Sequence, residues 1–124
     1  MTQNVVVIVM DTVRAGALNS FSDSRESLSI ISEPSTAFKQ TVTSAPWTLP
    51  SHASLFTGTT PSKHGAHAGH KHLDDTLNTL PEILQTHDYE TVAVSNNTWI
   101  SEEFGFDRGL ETFYKTWQYV QSET

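Results

Sequence analysis

Apolar and polar positions follow several distinct regimes along this chain. Asn4 to Met10 reads NVVVIVM, an almost unbroken β-branched run, which is the pattern of a strand covered on both faces in a parallel sheet. It ends at Asp11. The next stretch, TVRAGALNSFSDSRES, is polar and turn-rich and leads to a predicted short helix at Glu26 to Glu33, with Leu28, Ile30 and Ile31 as its buried stripe. Pro34 and Ser35 break that helix. Thr36 to Thr43 (TAFKQTVT) predicts a short strand with Ala37 or Phe38 and Val42 turned inward.

In PWTLPSHASLFTG, Pro46 to Gly58, a short loop enters a helix whose periodicity runs on to Gly58, a residue suited to a helix C-terminus. A Gly- and His-rich loop, TTPSKHGAHAGHKHLDD, comes next. Thr76 to His87 then predicts a second amphipathic helix, started either by Thr79 with Glu82 three residues on or by Thr76 a turn earlier. Its apolar face is Leu77, Leu80, Ile83 and Leu84. Glu90 to Ser95 (ETVAVS) reads as another buried strand, and Glu111 to Tyr114 as a last short one. Strands alternating with helices predict an α/β fold with a mainly parallel sheet, helices on its faces and right-handed crossovers.

Composition narrows the function classes. A chain of 124 residues holds one domain and buries about two thirds of the surface its unfolded form exposes. Seven Lys and Arg against 14 Asp and Glu give a formal net charge of -7, which argues against nucleic acid or anionic membrane as partners. Small anions are still held locally by a metal or by backbone N–H groups. The absence of cysteine excludes disulfides, thiolate metal sites and thiol catalysis. The N-terminal residues lack the basic and long apolar regions of a signal peptide, and no run reaches the length of a membrane span, so the expected location is the cytoplasm.

Two positions carry candidate chemistry. Asp11 closes a predicted buried strand, the edge at which open α/β sheets place their ligands, and reads evenly as a functional carboxylate, metal ligand or general base, or as an N-cap or loop anchor. Thr48 stands at a helix N-terminus, where unpaired N–H groups and partial positive charge suit sulfate or phosphate oxygens. Its hydroxyl is either a cap or a nucleophile, and the second role needs a metal or base to favour the alkoxide. His64, His67, His70 and His72 lack the carboxylate partners that frame a specific metal site and read mainly as a solvated loop.

NVVVIVMDTVR together with APWTLPSHASLFTGTTPSKHG resembles the opening of the sulfatase family, within the alkaline-phosphatase superfamily of metal-dependent hydrolases. Thr48 to Gly58 is similar to the family signature CxPSRxSLLTG, and FGFDRGLETFY to its GFDxGF element, so the resemblance covers nearly the whole chain. It implies part of a three-layer αβα sandwich and the N-terminal part, residues 1–124, of a catalytic domain. It also implies a divalent cation held by Asp11 and Thr48, Ca²⁺ first, with Mg²⁺, Mn²⁺ and Zn²⁺ as alternatives. By the same resemblance Thr48 and His52 are catalytic, and Leu49, Pro50, Ser51 and His64 bind the anion of a small sulfate- or phosphate-ester substrate.

The departures from the family pattern are specific. Thr48 replaces the Cys that becomes formylglycine, so the aldehyde-hydrate mechanism is excluded, and branches with Thr there resemble phosphodiesterases and phosphoglycerol transferases. His52 replaces an Arg, and Thr12 replaces a frequent second Asp. The family's remaining metal ligands lie beyond the stretch that this chain matches, which implies half a site. The alternative expectation is therefore a truncated or split product that is silent alone, or that completes its site as a homo-oligomer or with a complementing C-terminal chain.

Overall fold

The computed structural model describes residues 3–17, 36, 38 and 40–117. The chain divides into two compact units, Met1–Val42 and Thr43–Thr124.

In the first unit the apolar run is not a strand. Val5 to Met10 forms no ladder and is exposed, Val6 to 80% and Ile8 to 71%. A β-branched run supplies affinity for a sheet, but a strand exists only where a neighbouring backbone completes its hydrogen bonds, and none among the described residues does so here. Asp11 and Thr12 form a turn, with Thr12 in the left-handed region at φ 64°. One helical turn follows at 15–17, where the Ala17 N–H donates to Arg14 O at 2.9 Å. The helix expected at Glu26 to Glu33 and the expected inward position Ala37 lie outside the described residues. The strand expected over Thr36 to Thr43 is absent at its described positions: Val42 is 87% exposed and Phe38 also faces solvent.

The second unit holds helix α1, Thr48–Thr57. Leu49 and Ala53 are fully buried and Phe56 packs beside them, one face at spacings of four and three. Gly58, at φ 66°, ends the helix as expected by donating its N–H to Ser54 O. Part of the expected loop is instead a one-turn helix, α2, Pro61–His64, closed by Gly65. His67 and His70 then face each other across a tight turn.

Helix α3, Leu80–Gln85, starts at the later of the two expected positions. Thr79 Oγ1 accepts the Glu82 N–H and the Glu82 carboxylate accepts the Thr79 N–H, the reciprocal pairing that satisfies two helix-end donors. Thr76 is diverted to Asp74, whose carboxylate accepts both its N–H and its hydroxyl. The expected apolar face is exposed at Leu80 and Ile83 and half-buried at Leu77 and Leu84, and Pro81 is the buried residue.

Strands β1, Val92–Ser95, and β2, Thr112–Lys115, pair in parallel, with Val92 opposite Thr112 and Ser95 opposite Lys115. Thr91 and Ser95 are buried whereas Val94 is 68% exposed, so β1 is covered on one face only, not on both. A 3₁₀ turn, Glu102–Phe104, lies between the strands. The α/β class and parallel pairing match expectation; among the described residues the sheet has two strands, short of the expected three-layer sandwich.

The core is Leu49, Ala53, Ala66, Leu73, Ile100 and Phe106, flanked by Trp47, Phe56, Trp99 and Phe104. Phe56 meets Phe106 edge-on at 5.3 Å, and Trp47 meets Trp99 edge-on at 5.5 Å. Arg108 ties the later segments together. Its guanidinium donates to both Glu82 carboxylate oxygens and to the Asp74 and Leu77 carbonyls.

Candidate active site

Helix α1 begins at Thr48, and the residue at the capping position is Trp47, in extended backbone and with no side-chain cap bond. Thr48 is thus the first helical residue, half-buried, and not the cap. Leu49 and Pro50, the next two residues, are buried. Leu49 fills the core with no exposed surface. Pro50 has no N–H to give, which is tolerated in a first turn where that donor has no partner within the helix. The Ser51 N–H is directed to Trp47 O at 3.4 Å.

The Ser51 hydroxyl is engaged as well. Thr43 Oγ1 donates to Ala45 O at 3.0 Å, so its single proton is used and Ser51 is the donor in the 2.8 Å contact between the two hydroxyls. This pair clips the 43–47 loop to the start of α1. The residues expected to receive an anion at the helix end therefore occupy packing, backbone and clip positions.

His52 lies one turn beyond Thr48, on the same face. Its Nδ1 is 2.9 Å from the Thr48 carbonyl, which only accepts, so Nδ1 is the donor, and in the neutral ring the lone pair is on Nε2. The ring is anchored to the backbone of the residue whose hydroxyl is the candidate nucleophile.

His64 has no exposed surface. The turn that places it, PSKHG, carries the ring beneath α1, where it meets Ser54 Oγ at 2.9 Å. Burial, the largest influence, holds its pKa below the ordinary histidine value, while the nearby Pro50 and His64 carbonyls act in the opposite direction.

Asp11 belongs to the first unit, exposed in its turn, and Thr48 to the second. Among the described residues no group of three or more His, Asp or Glu side chains is placed to hold a metal ion. Of the histidine-rich stretch, the His67 and His70 rings stand 6.5 Å apart, and His72 bonds the Leu73 carbonyl.

The Thr43–Ser51 clip and the His64–Ser54 bond were not foreseen. No periodicity flags a contact eight or ten residues apart across a turn. Arg108 was also missed, although its place beside Gly109 in FDRG is a signal that the backbone turns sharply there. No helix among the described residues is long and apolar enough to cross a membrane. Residues 3–123 match the protein-family model described as Sulfatase. No curated protein and no solved structure matches the chain.

Proposed function

The chain belongs to the sulfatase family, and on that premise we propose that it hydrolyses small sulfate or phosphate esters with Thr48 in the nucleophile's place. Membership supports a sulfatase-like hydrolase. The observation that carries the reading is the family match over residues 3–123, which takes in Thr48 at the first position of α1. Thr48 Oγ forms a bond to sulfur or phosphorus as the bond to the ester's alcohol breaks, and water then releases the sulfate or phosphate. The hydroxyl proton passes to a base and from it to the departing alcohol oxygen. His52, tied through Nδ1 to the Thr48 carbonyl, orients Thr48 or the anion. Ser51 keeps the loop before α1 in register through Thr43. The reading retains the cytoplasmic location expected from the sequence.

Family members use a metal ion, and Asp11 with Thr48 is the ligand pair that the resemblance implies. A divalent oxygen-ligated ion takes about six donors or more. The described residues hold no group of three His, Asp or Glu side chains arranged for it, so they do not by themselves fit such an ion.

The same observation favours a second reading, in which a further chain completes the site. The exposed run Val5 to Met10, with Val92 and Val94 exposed on β1, provides apolar surface for such a contact. Sedimentation separates the two: a compact monomer at all concentrations counts against the second reading. For the first, the purified chain is assayed on an aryl sulfate and a phosphodiester with each of Ca²⁺, Mg²⁺, Mn²⁺ and Zn²⁺. Turnover is expected to fall by several orders of magnitude in Thr48→Ala. Turnover that survives the substitution ends the case for Thr48.

A further inference from the structure

His64 is the one fully buried histidine among the described residues, and both of its ring nitrogens are engaged. Nδ1 accepts the Ala66 N–H at 3.1 Å, which a ring nitrogen does only when it carries no proton. The proton of the neutral ring therefore sits on Nε2 and is donated to Ser54 Oγ at 2.9 Å. One neutral imidazole at the end of α2 thus links α1, at Ser54, to the backbone just after the Gly65 turn.

We infer that His64 is a positioning residue for α1: its neutral, Nε2-protonated ring clamps the helix that begins at Thr48 onto the Gly65 turn, and protonation releases it. A proton added at Nδ1 would face the Ala66 N–H donor to donor and place a charge where no surface is exposed. Nothing on the two helices compensates that charge. Helix α1, TLPSHASLFT, has His52 as its only titratable residue, α2 has Lys63, which is exposed, and neither carries a carboxylate. At the ring nitrogens stand the Ser54 hydroxyl and the Ala66 N–H, both neutral; the nearby Pro50 and His64 carbonyls favour the proton, and burial outweighs them.

The direction of the pH effect follows from that burial. The folded pKa lies below the ordinary value of 6.5, so over the interval between them the unfolded chain binds the extra proton and the folded chain does not. The clamp is fully present above pH 6.5 and weakens as the pH falls through the folded value. The inference rests on the hydrolase reading only for why the position of α1 matters.

Amide hydrogen exchange on the isotopically labelled full-length chain tests the clamp without turnover. Exchange of α1 amides, corrected for intrinsic rates, is expected to quicken about tenfold as the pH is lowered from 7.5 to 5, while β1 and β2 amides change less. His64→Gln keeps a donor for Ser54 but cannot titrate, and its α1 exchange is expected to stay flat over this range. His64→Asn supplies an acceptor for Ala66 but does not reach Ser54, and Ser54→Ala removes the partner; each is expected to loosen α1 about tenfold at pH 7.5.

Unchanged α1 exchange in both His64→Asn and Ser54→Ala overturns the inference. A pH response that persists in His64→Gln does so as well. Nitrogen-detected spectra of the wild-type ring give a check that needs no variant: a protonated Nδ1 at pH 7.5, or titration of His64 at or above 6.5, also refutes it. Turnover assays decide the hydrolase reading and exchange decides the clamp, so the two fail separately.

Discussion

Gly109 lies against the start of α3. Its φ is 75°, and a Cβ built on it falls 2.2 Å from the Glu82 nitrogen and 2.7 Å from both Glu82 Cα and the Pro81 carbonyl carbon. Gly109→Ala therefore carries two separate penalties. The left-handed backbone alone costs a residue with a Cβ about 1–2 kcal/mol. Relief of the overlap has to move backbone, not a flexible side-chain tip, and so pulls Glu82 away from the Thr79 N–H and from Arg108; overpacking of this kind adds about 1–3 kcal/mol. The sum is about 2–5 kcal/mol, a large share of the stability of a small domain.

The protein contains its own control. Gly65 has φ 68°, and a Cβ there meets nothing within 4 Å, so Gly65→Ala carries the backbone penalty alone, about 1–2 kcal/mol. Urea unfolding followed by tryptophan fluorescence gives both values, and their difference isolates the clash. Equal destabilisation by the two substitutions, to within about 0.5 kcal/mol, would refute the placement of Gly109 against α3.

Leu49→Ala removes a side chain with no exposed surface and is expected to cost about 2–5 kcal/mol in the same urea experiment; a loss below about 1 kcal/mol would contradict its place in the core. Burial alone would raise the Glu82 carboxyl, but the Thr79 N–H and the Arg108 charge outweigh it and hold the pKa below 4.5. This contribution to stability is full above pH 4.5 and is lost as the pH falls through the folded value. Glu82→Gln should flatten that part of the acid-unfolding curve, and an unchanged curve would show that other carboxylates set it. Ser51→Ala breaks the contact with Thr43, with an expected cost of about 0.5–1.5 kcal/mol. A double-mutant cycle with Thr43→Val that gives no coupling would remove the clip.

Much of α1 and α3 was legible because their signals are local. Gly58 as the end of α1 and the Thr79–Glu82 pairing as the start of α3 depend on residues within one turn of each other, and the structure has both. The candidate site was legible as a position, Thr48 at a helix start, because signature and helix occupy the same stretch. Its working parts were not. Which hydroxyl donates between Thr43 and Ser51, and which nitrogen of His52 keeps its lone pair, depend on three-dimensional contacts that no spacing rule encodes.

The sequence by itself determined the α/β class, the two helix boundaries set by capping residues, and the family, since the match spans residues 3–123. Tertiary structure alone decided what is covered. NVVVIVM and ETVAVS carry the same β-branched signature, yet only the second is in a ladder, and even there Val94 faces outward. A strand's apolar pattern states what it would gain from burial, whereas the neighbouring backbone and side chains that bury it come from elsewhere in the chain. His64 shows the converse: a histidine in a Gly- and His-rich segment became a fully buried, neutral link because the short turn Pro61–His64 carries it beneath α1.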